Sequence, residues 1–285
     1  QVFYLSLLCN IYLENSSSYL LIALFLSTVF LTFRTQGQGK YRKVAEWLDN
    51  VLFLASLAIN VYMAIMGYDI LMKGYSAVAP TDMIILSTIL WFLILEATRR
   101  TGGLALSIVV ACFSFYPMFA ELLPGLLKGA GLDFNSTVAY HIMSPDSALG
   151  IPLKTVGTIL IGYLIFGVCL GITGAGDFFL KLAMSLFGHA RGGVAKVALI
   201  ASALFGSVNG SAVANVMTIG SITIPLMKKV GYPAHFAAAV EACASNGGQL
   251  MPPVMGAVAF VMAAYLNIPY LHVVFAAIIP SLLYY

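Results

Sequence analysis

Seven apolar runs, most of them about 20 residues long, set what this chain can become, because ~20 helical residues match the ~30 Å hydrocarbon core of a bilayer. They cover residues 19–33, 47–72, 81–98, 104–123, 152–175, 196–227 and 234–266, and a further run opens at Tyr270. Composition excludes the soluble alternative: 61% hydrophobic and 9% charged residues, with a mean hydropathy of +0.96, leave too little polar surface for a water-exposed domain. The sequence therefore predicts an all-α integral membrane protein, a multi-span helical bundle. Residues 2–13 read as the end of a lost transmembrane helix rather than a signal peptide, since no basic region precedes them and Glu14 and three serines follow. Both ends read as truncated.

Two of the runs are interrupted. GSVNGSAVANVMTIGSITIPLM begins at Gly206, and SNGGQLMPPVMG ends at Gly256. Irregular backbone at membrane depth survives only where protein or water covers it, so these breaks mark a cavity or an ion path. The 196–227 run is too polar in its middle to cross simply. If it dips in and returns to its starting side, the basic residues sort with it. Arg34, Lys40, Arg42, Lys43, Arg99, Arg100, Lys181, Arg191, Lys196, Lys228 and Lys229 then face the cytoplasm, and only Lys73, Lys128 and Lys154 lie outside. A full crossing would move Lys228 and Lys229 to the far side.

The sequence predicts a re-entrant hairpin over 196–230. Its tip, Gly206, Ser207, Asn209, Gly210 and Ser211, combines a flexible turn with side-chain oxygens. Such a tip exposes helix-end amides, which suit an anion, and unwound carbonyls, which suit a hard cation such as sodium. Residues 234–266 predict a discontinuous transmembrane helix broken at Ser245, Asn246, Gly247, Gly248 and Gln249, with Pro252 and Pro253 freeing carbonyls nearby. Ser245, Asn246 and Gln249 are candidate ligands facing the hairpin tip; the glycines serve equally well as close-packing positions.

Between the spans, 176–195 predicts an amphipathic interfacial helix with Phe178, Leu182 and Leu186 on one face and Lys181, His189 and Arg191 on the wet side, with Asp177 as its cap. An ordinary connecting helix is the alternative. Glu96 precedes Arg99 and Arg100 by three and four residues and predicts a local ion pair. Glu241 lies about two turns into its span, where an ionised carboxylate is costly unless wetted or paired. Cys9, Cys112, Cys169 and Cys243 sit singly, and His141, His189, His235 and His272 have no ligand-like neighbours, so neither set predicts a metal or catalytic site.

SALFGSVNGSAVANVMTIGSITIPLMKKVGY followed by AVEACASNGGQLMPPVMGAVAF resembles the large membrane subunit of tripartite ATP-independent periplasmic (TRAP) transporters, and more closely the TAXI-type fusions of small and large membrane subunits. LEATRRTGG, the LPG at 123–125 and GHARGGVAK agree with that pattern, so the resemblance covers most of residues 80–285. It implies a multi-pass elevator-type transporter of the prokaryotic inner membrane, driven by a sodium gradient and fed a small organic solute by an extracytoplasmic TAXI-type substrate-binding protein. It implies no nucleic-acid partner, no organic cofactor and no catalytic residue.

Carried over residue by residue, it implies sodium and substrate binding at Ser207, Asn209, Gly210, Ser211, Asn215, Ser245, Asn246, Gly247 and Gln249, with Thr218, Ser221 and Glu241 as outlying members. The family has serine where Asn209 stands and threonine where Asn246 stands; both departures keep an acceptor oxygen. It also has two inverted halves, of which this chain supplies the first, so the remaining C-terminal half of the permease is an implied partner. Residues 1–123 are then small-subunit-like scaffold, 124–151 an extracytoplasmic loop and 152–285 the first large-subunit half. A carbonyl-lined channel is the second reading, and an elevator transporter working without a binding protein a further one. An intramembrane enzyme is the last, since Ser207 and Ser211 have no base at a persuasive spacing.

Overall fold

A computed structural model describes residues 2–34 and 42–285, which are helical throughout with no strand among the described residues. Lys40, one of the basic residues assigned to the cytoplasm, lies outside them. Among the described residues, four helical segments are long and apolar enough to cross a membrane: Asn15–Thr32, Lys43–Ile65, Thr81–Leu122 and Ile151–Ile172. The chain divides into two compact units, one ending at Gly157 and one from Thr158 to Tyr285.

In the first unit, α1 (Val2–Thr32) runs unbroken through the Glu14–Ser17 region, so residues 2–13 are the start of this helix and not the tail of another. The polar residues continue the helix because partners meet them: the Ser16 hydroxyl donates to the Ala64 carbonyl at 2.7 Å and the Asn15 amide to the Gly67 carbonyl at 3.3 Å. Those carbonyls lie where α2 (Arg42–Ile65) gives way to α3 (Gly67–Met72), which splits the expected 47–72 run at Met66.

The next two spans form one long helical element, α4 (Thr81–Phe119), folded on itself at Gly103, whose φ of 80° only glycine adopts at little cost. A straight helix would separate Trp91 and Ser114 by ~34 Å. Instead the Trp91 indole N–H donates to the Ser114 hydroxyl at 2.6 Å, and the Trp91 and Phe115 rings lie 4.6 Å apart. Residues 81–98 and 104–123 are therefore the two antiparallel arms the apolar runs predict. Within 124–151, read as loop, α5 (Phe134–Met143) buries Val138, Ile142 and Met143 in the same core as Tyr19, Phe30, Met63, Leu90 and Trp91. Glu96 pairs with Arg99 and Arg100 as its spacing predicts. Arg100 also reaches the buried Asp49 of α2 at 2.8 Å and lies over the Phe30 ring.

A short α6 (Ile151–Thr155) precedes the unit border. The second unit holds α7 (Ile161–Ile172), α8 (Ala175–Phe187), α9 (Gly193–Asn209), α10 (Ala212–Asn215), α11 (Ser221–Lys229), α12 (Ala234–Gly248), α13 (Ala257–Leu266) and α14 (Tyr270–Tyr284). In α8, Leu180 and Ala183 pack against Val197, Ala201 and Phe205 of α9, while Phe178 and Leu186 are exposed. The stripe picked by helical spacing is thus the outward face, and the inner face is the one that carries Phe179, Leu180, Ala183 and Phe187. Asp177 sits in the first turn, favourable to the helix dipole, but Gly174 occupies the cap position.

The 196–230 segment reverses at its tip. Ala198 and Met227 share a buried cluster near the base, and Phe205 and Ile219 share another nearer the tip. A π-helical stretch, Val216–Gly220, joins α10 to α11. At 17 residues, α9 is ~25 Å long, short of a full crossing. The following helix is interrupted as expected, but four residues later than Ser245: α12 stays helical through Gly248, and the irregular stretch runs from Gln249 to Gly256. The backbone of Gly248 lies against that of Gly206, so the helix remains ordered by packing up to the contact. Pro252 and Pro253, which lack amide hydrogens, lie beyond it.

Candidate functional site

Three elements build the site: the hairpin tip, the break after α12 and the wall of α7. Gly210 caps α9 with φ of 68°, a left-handed conformation that reverses the chain and places its N–H on the Gly206 carbonyl at 2.7 Å. Ser211 then caps α10, its hydroxyl accepting from the Ala214 N–H. The break folds onto this tip. The Val254 N–H donates to the Ser207 carbonyl at 3.0 Å, and the Gly256 N–H closes the loop on the Gln249 carbonyl at 2.8 Å.

Gly206 and Gly248 make that approach possible. A Cβ on Gly206 would lie 2.6 Å from the Gly248 Cα and 2.9 Å from the Asn215 amide nitrogen, so any side chain there separates the two helices. Asn215 is fully buried. Its amide nitrogen donates to the Ser202 carbonyl at 2.8 Å, yet its Oδ1 has no partner. A buried acceptor without a donor is costly, and this one lies where the C-terminal ends of α9 and α12 converge. Helix C-termini carry unpaired carbonyls and partial negative charge, so the arrangement suits a cation.

Beside the tip lies a cavity of about 240 Å³, lined by Asn209, Gly210, Ser211 and Gln249 together with Tyr163, Leu164 and Phe260. Gly167 of α7 leaves room for Asn209, since a Cβ there would meet its Oδ1 at 3.2 Å. The N-terminus of α13, at Gly256 and Ala257, borders the same space. Helix N-termini offer free amides and partial positive charge. The cavity is thus bordered by the hairpin tip, by Gln249 of the break and by the N-terminal end of α13.

The structure sorts the residues picked from sequence. Asn209, Gly210, Ser211 and Gln249 come together on the cavity, whereas Asn215 packs against Gly206 and Gly248 and does not line it. Ser207 contributes its carbonyl, while its hydroxyl turns back to the Leu204 carbonyl. Asn246 is exposed, and Gly247 faces the rings of Tyr284 and Tyr285. Thr218 packs its methyl on Gly176, and the Ser221 hydroxyl bonds the Thr218 carbonyl; neither lines the cavity.

Ser245 and Glu241 form a separate polar node. Glu241 is fully buried and accepts from Ser202 of α9 at 2.6 Å, Thr223 of α11 at 2.5 Å and Ser245 of its own helix at 3.2 Å. Both hairpin arms are thereby fastened to α12. Sequence reasoning omitted Ser202 and Thr223. Hairpin register exposes them: Ser202 and Thr223 pair about the same centre, between residues 212 and 213, as Ala198 and Met227 do lower down.

Comparisons with known proteins identify the family. Residues 89–285 match the family model described as "Tripartite ATP-independent periplasmic transporter, DctM component". The chain is similar to the C4-dicarboxylate TRAP transporter large permease protein DctM of Pseudomonas aeruginosa, 30% identical over 159 residues, 53% of this chain and 37% of that protein. It is likewise similar to the ectoine/5-hydroxyectoine TRAP transporter large permease protein UehC of Ruegeria pomeroyi, 30% identical over 179 residues, 62% of this chain and 41% of that one. With the isethionate TRAP transporter permease protein DctMQ of Oleidesulfovibrio alaskensis it shares 30% identity over 176 residues, 60% of this chain and 27% of that one. The chain therefore spans less than half the length of these relatives. No solved structure matches. With its apolar helices and a family match that runs through both interrupted segments, the chain is a multi-pass inner-membrane protein belonging to the tripartite ATP-independent periplasmic transporter family, within its DctM component.

Proposed function

We propose that the chain forms part of a sodium-coupled secondary transporter that imports a small organic anion handed to it by an extracytoplasmic substrate-binding protein of the TAXI type. One observation carries this reading: the hairpin tip residues Asn209, Gly210 and Ser211 share a cavity with Gln249 of the break and with the N-terminal end of α13. The neutral oxygens of Asn209, Ser211 and Gln249 suit sodium, and the helix N-terminus suits a carboxylate or sulfonate. Binding one strengthens binding of the other, because opposite charges at close range attract strongly away from water. The relatives named for C4-dicarboxylates and isethionate bear anions of this kind.

In this reading the hairpin re-enters the membrane without crossing it, and hairpin and broken helix move together as the elevator body. Residues 1–123 serve as small-subunit-like scaffold fused to the large-subunit part, residues 124–151 face outward, and the C-terminal half of the permease completes the site. A carbonyl-lined channel is the competing reading, and it predicts conduction without coupling.

The test is reconstitution of the full-length permease in liposomes with its binding protein. An inward sodium gradient accelerates uptake severalfold over an equal potassium gradient if the reading holds. Equal uptake in both, or ion flux without solute, contradicts it.

A further inference from the structure

Both arms of the hairpin meet α12 at one side chain. The Glu241 carboxylate accepts from Ser202 of the outgoing arm, Thr223 of the returning arm and Ser245 of its own helix. Its methylenes lie against Gly220, where a Cβ would come within 2.8 Å of the Glu241 Cγ; Gly220 closes the π-helical stretch of the returning arm. At 0% exposure the carboxylate is already fully enclosed by these elements. A carboxylate held inside a membrane span needs hydrogen bonds, and the three hydroxyls supply them.

The node is tied to the place where hairpin and broken helix touch. Ser202 precedes Gly206 by about one turn of α9, and Glu241 precedes Gly248 by about two turns of α12. Ser202 faces both ways: its hydroxyl donates to Glu241, and its carbonyl accepts from the Asn215 amide at 2.8 Å, the same amide that packs beside Gly206 and Gly248. Small residues such as those lining α9 and α12 can slide past one another, whereas three hydroxyl bonds to one carboxylate define a single register. We propose that Glu241 is a positioning residue for transport: acting through Ser202 and Thr223, it holds the hairpin tip against the break, so that Asn209, Ser211 and Gln249 keep the spacing at which they bind. This rests on the transport reading above and deepens it, since Glu241 itself does not line the cavity.

The experiment uses the full-length permease with its native cysteines replaced and spin labels at Val213 beside the tip and Leu250 in the break, both exposed. Wild type is expected to give one narrow distance distribution by electron paramagnetic resonance. Glu241→Gln keeps it, because the amide oxygen accepts from Ser202 and Ser245 while its nitrogen donates to Thr223, whose own proton turns to the Ile219 carbonyl at 3.1 Å. Glu241→Ala broadens it. In unlabelled permease reconstituted with its binding protein, Glu241→Ala raises the sodium concentration for half-maximal uptake about tenfold, and Glu241→Gln leaves it within about twofold of wild type. Should Glu241→Ala fail to fold, Thr223→Val, which removes one hydroxyl and keeps the shape, is expected to give about a threefold rise. A narrow distribution in Glu241→Ala, or a half-saturating sodium concentration unchanged in both Glu241→Ala and Thr223→Val, overturns the inference, as a purely structural role predicts. Glu241→Gln as impaired as Glu241→Ala also overturns it, since the charge and not the spacing would then matter. Sodium-independent uptake in wild type sinks the transport reading, and the distance distributions alone then decide whether Glu241 positions tip against break.

Discussion

The two compact units bury polar groups in different surroundings. Up to Gly157, large side chains such as Tyr19, Phe30, Met63 and Trp91 fill the core, and the charged cluster Asp49–Arg100–Glu96 is internally paired. From Thr158 onward the interior is rich in small residues: Ala198, Ala201, Gly206, Ala237, Ala244 and Gly248 let helices approach closely. Among the described residues, buried side-chain oxygens without a partner occur in both, at Ser56, Asn60, Ser87 and Thr137 in the first unit and at Asn215 in the second. The difference lies in the approach of the backbones: Asn215 stands beside the contact between Gly206 and Gly248, whereas bulky side chains fill the first unit's core. Close backbone packing around a buried amide, rather than an unmet hydrogen bond by itself, sets the second unit apart.

The largest effect that would sharpen this contrast lies in the first unit. Arg100→Ala removes the buried guanidinium shared by Asp49, only 1% exposed, and Glu96, and is expected to cost about 3 kcal/mol, read as a large fall in melting temperature. Next comes Gly206→Val, which forces the hairpin from the broken helix. Overpacking of this sort costs about 3 kcal/mol, and sodium-dependent stabilisation should vanish with it. A smaller loss, about 2 kcal/mol, follows from Glu241→Ala, which leaves the Ser202 and Thr223 hydroxyls buried without their acceptor; Ser202→Ala made on top of it should then add little, as double-mutant stability would reveal. The smallest is Asn209→Ala at the cavity: folding unchanged, and the sodium concentration for half-maximal uptake raised about tenfold, or ~1.4 kcal/mol. If Asn209→Ala destabilises the protein as much as Gly206→Val, the division between packing residues and ligand residues collapses.

Much of the architecture was legible because apolar runs and glycine–proline punctuation are local signals. The fold-back at Gly103, the reversal at Gly210 and the break before Gly256 all follow from residues within a few positions of the event. What escaped depended on distant partners. Ser16 and Asn15 looked like a helix end because their acceptors, Ala64 and Gly67, lie about 50 residues away. Asp49 gave no sign of pairing with Arg100, and α5 read as loop because its buried face is contributed partly by Thr137 and Ala139. At the site, Asn209, Gly210, Ser211 and Gln249 were found by their chemistry and position near a break. Asn246 and Gly247 were chosen on the same grounds, but helical rotation by ~100° per residue turns them from the cavity. Tyr163, the one tyrosine of α7, could not be found that way, since nothing in its sequence marks which face of the helix meets the tip.

Everything proposed for the site requires the 196–230 segment to leave and re-enter on one side of the membrane. Arg191 and Lys229 flank it and are both exposed. Single cysteines placed there, in a background without the native cysteines, can be labelled in intact cells with an impermeant thiol reagent, before and after permeabilisation. Both sites reacting only after permeabilisation, as cytoplasmic positions would, is the predicted result; Lys229→Cys reacting from outside while Arg191→Cys stays protected would contradict it.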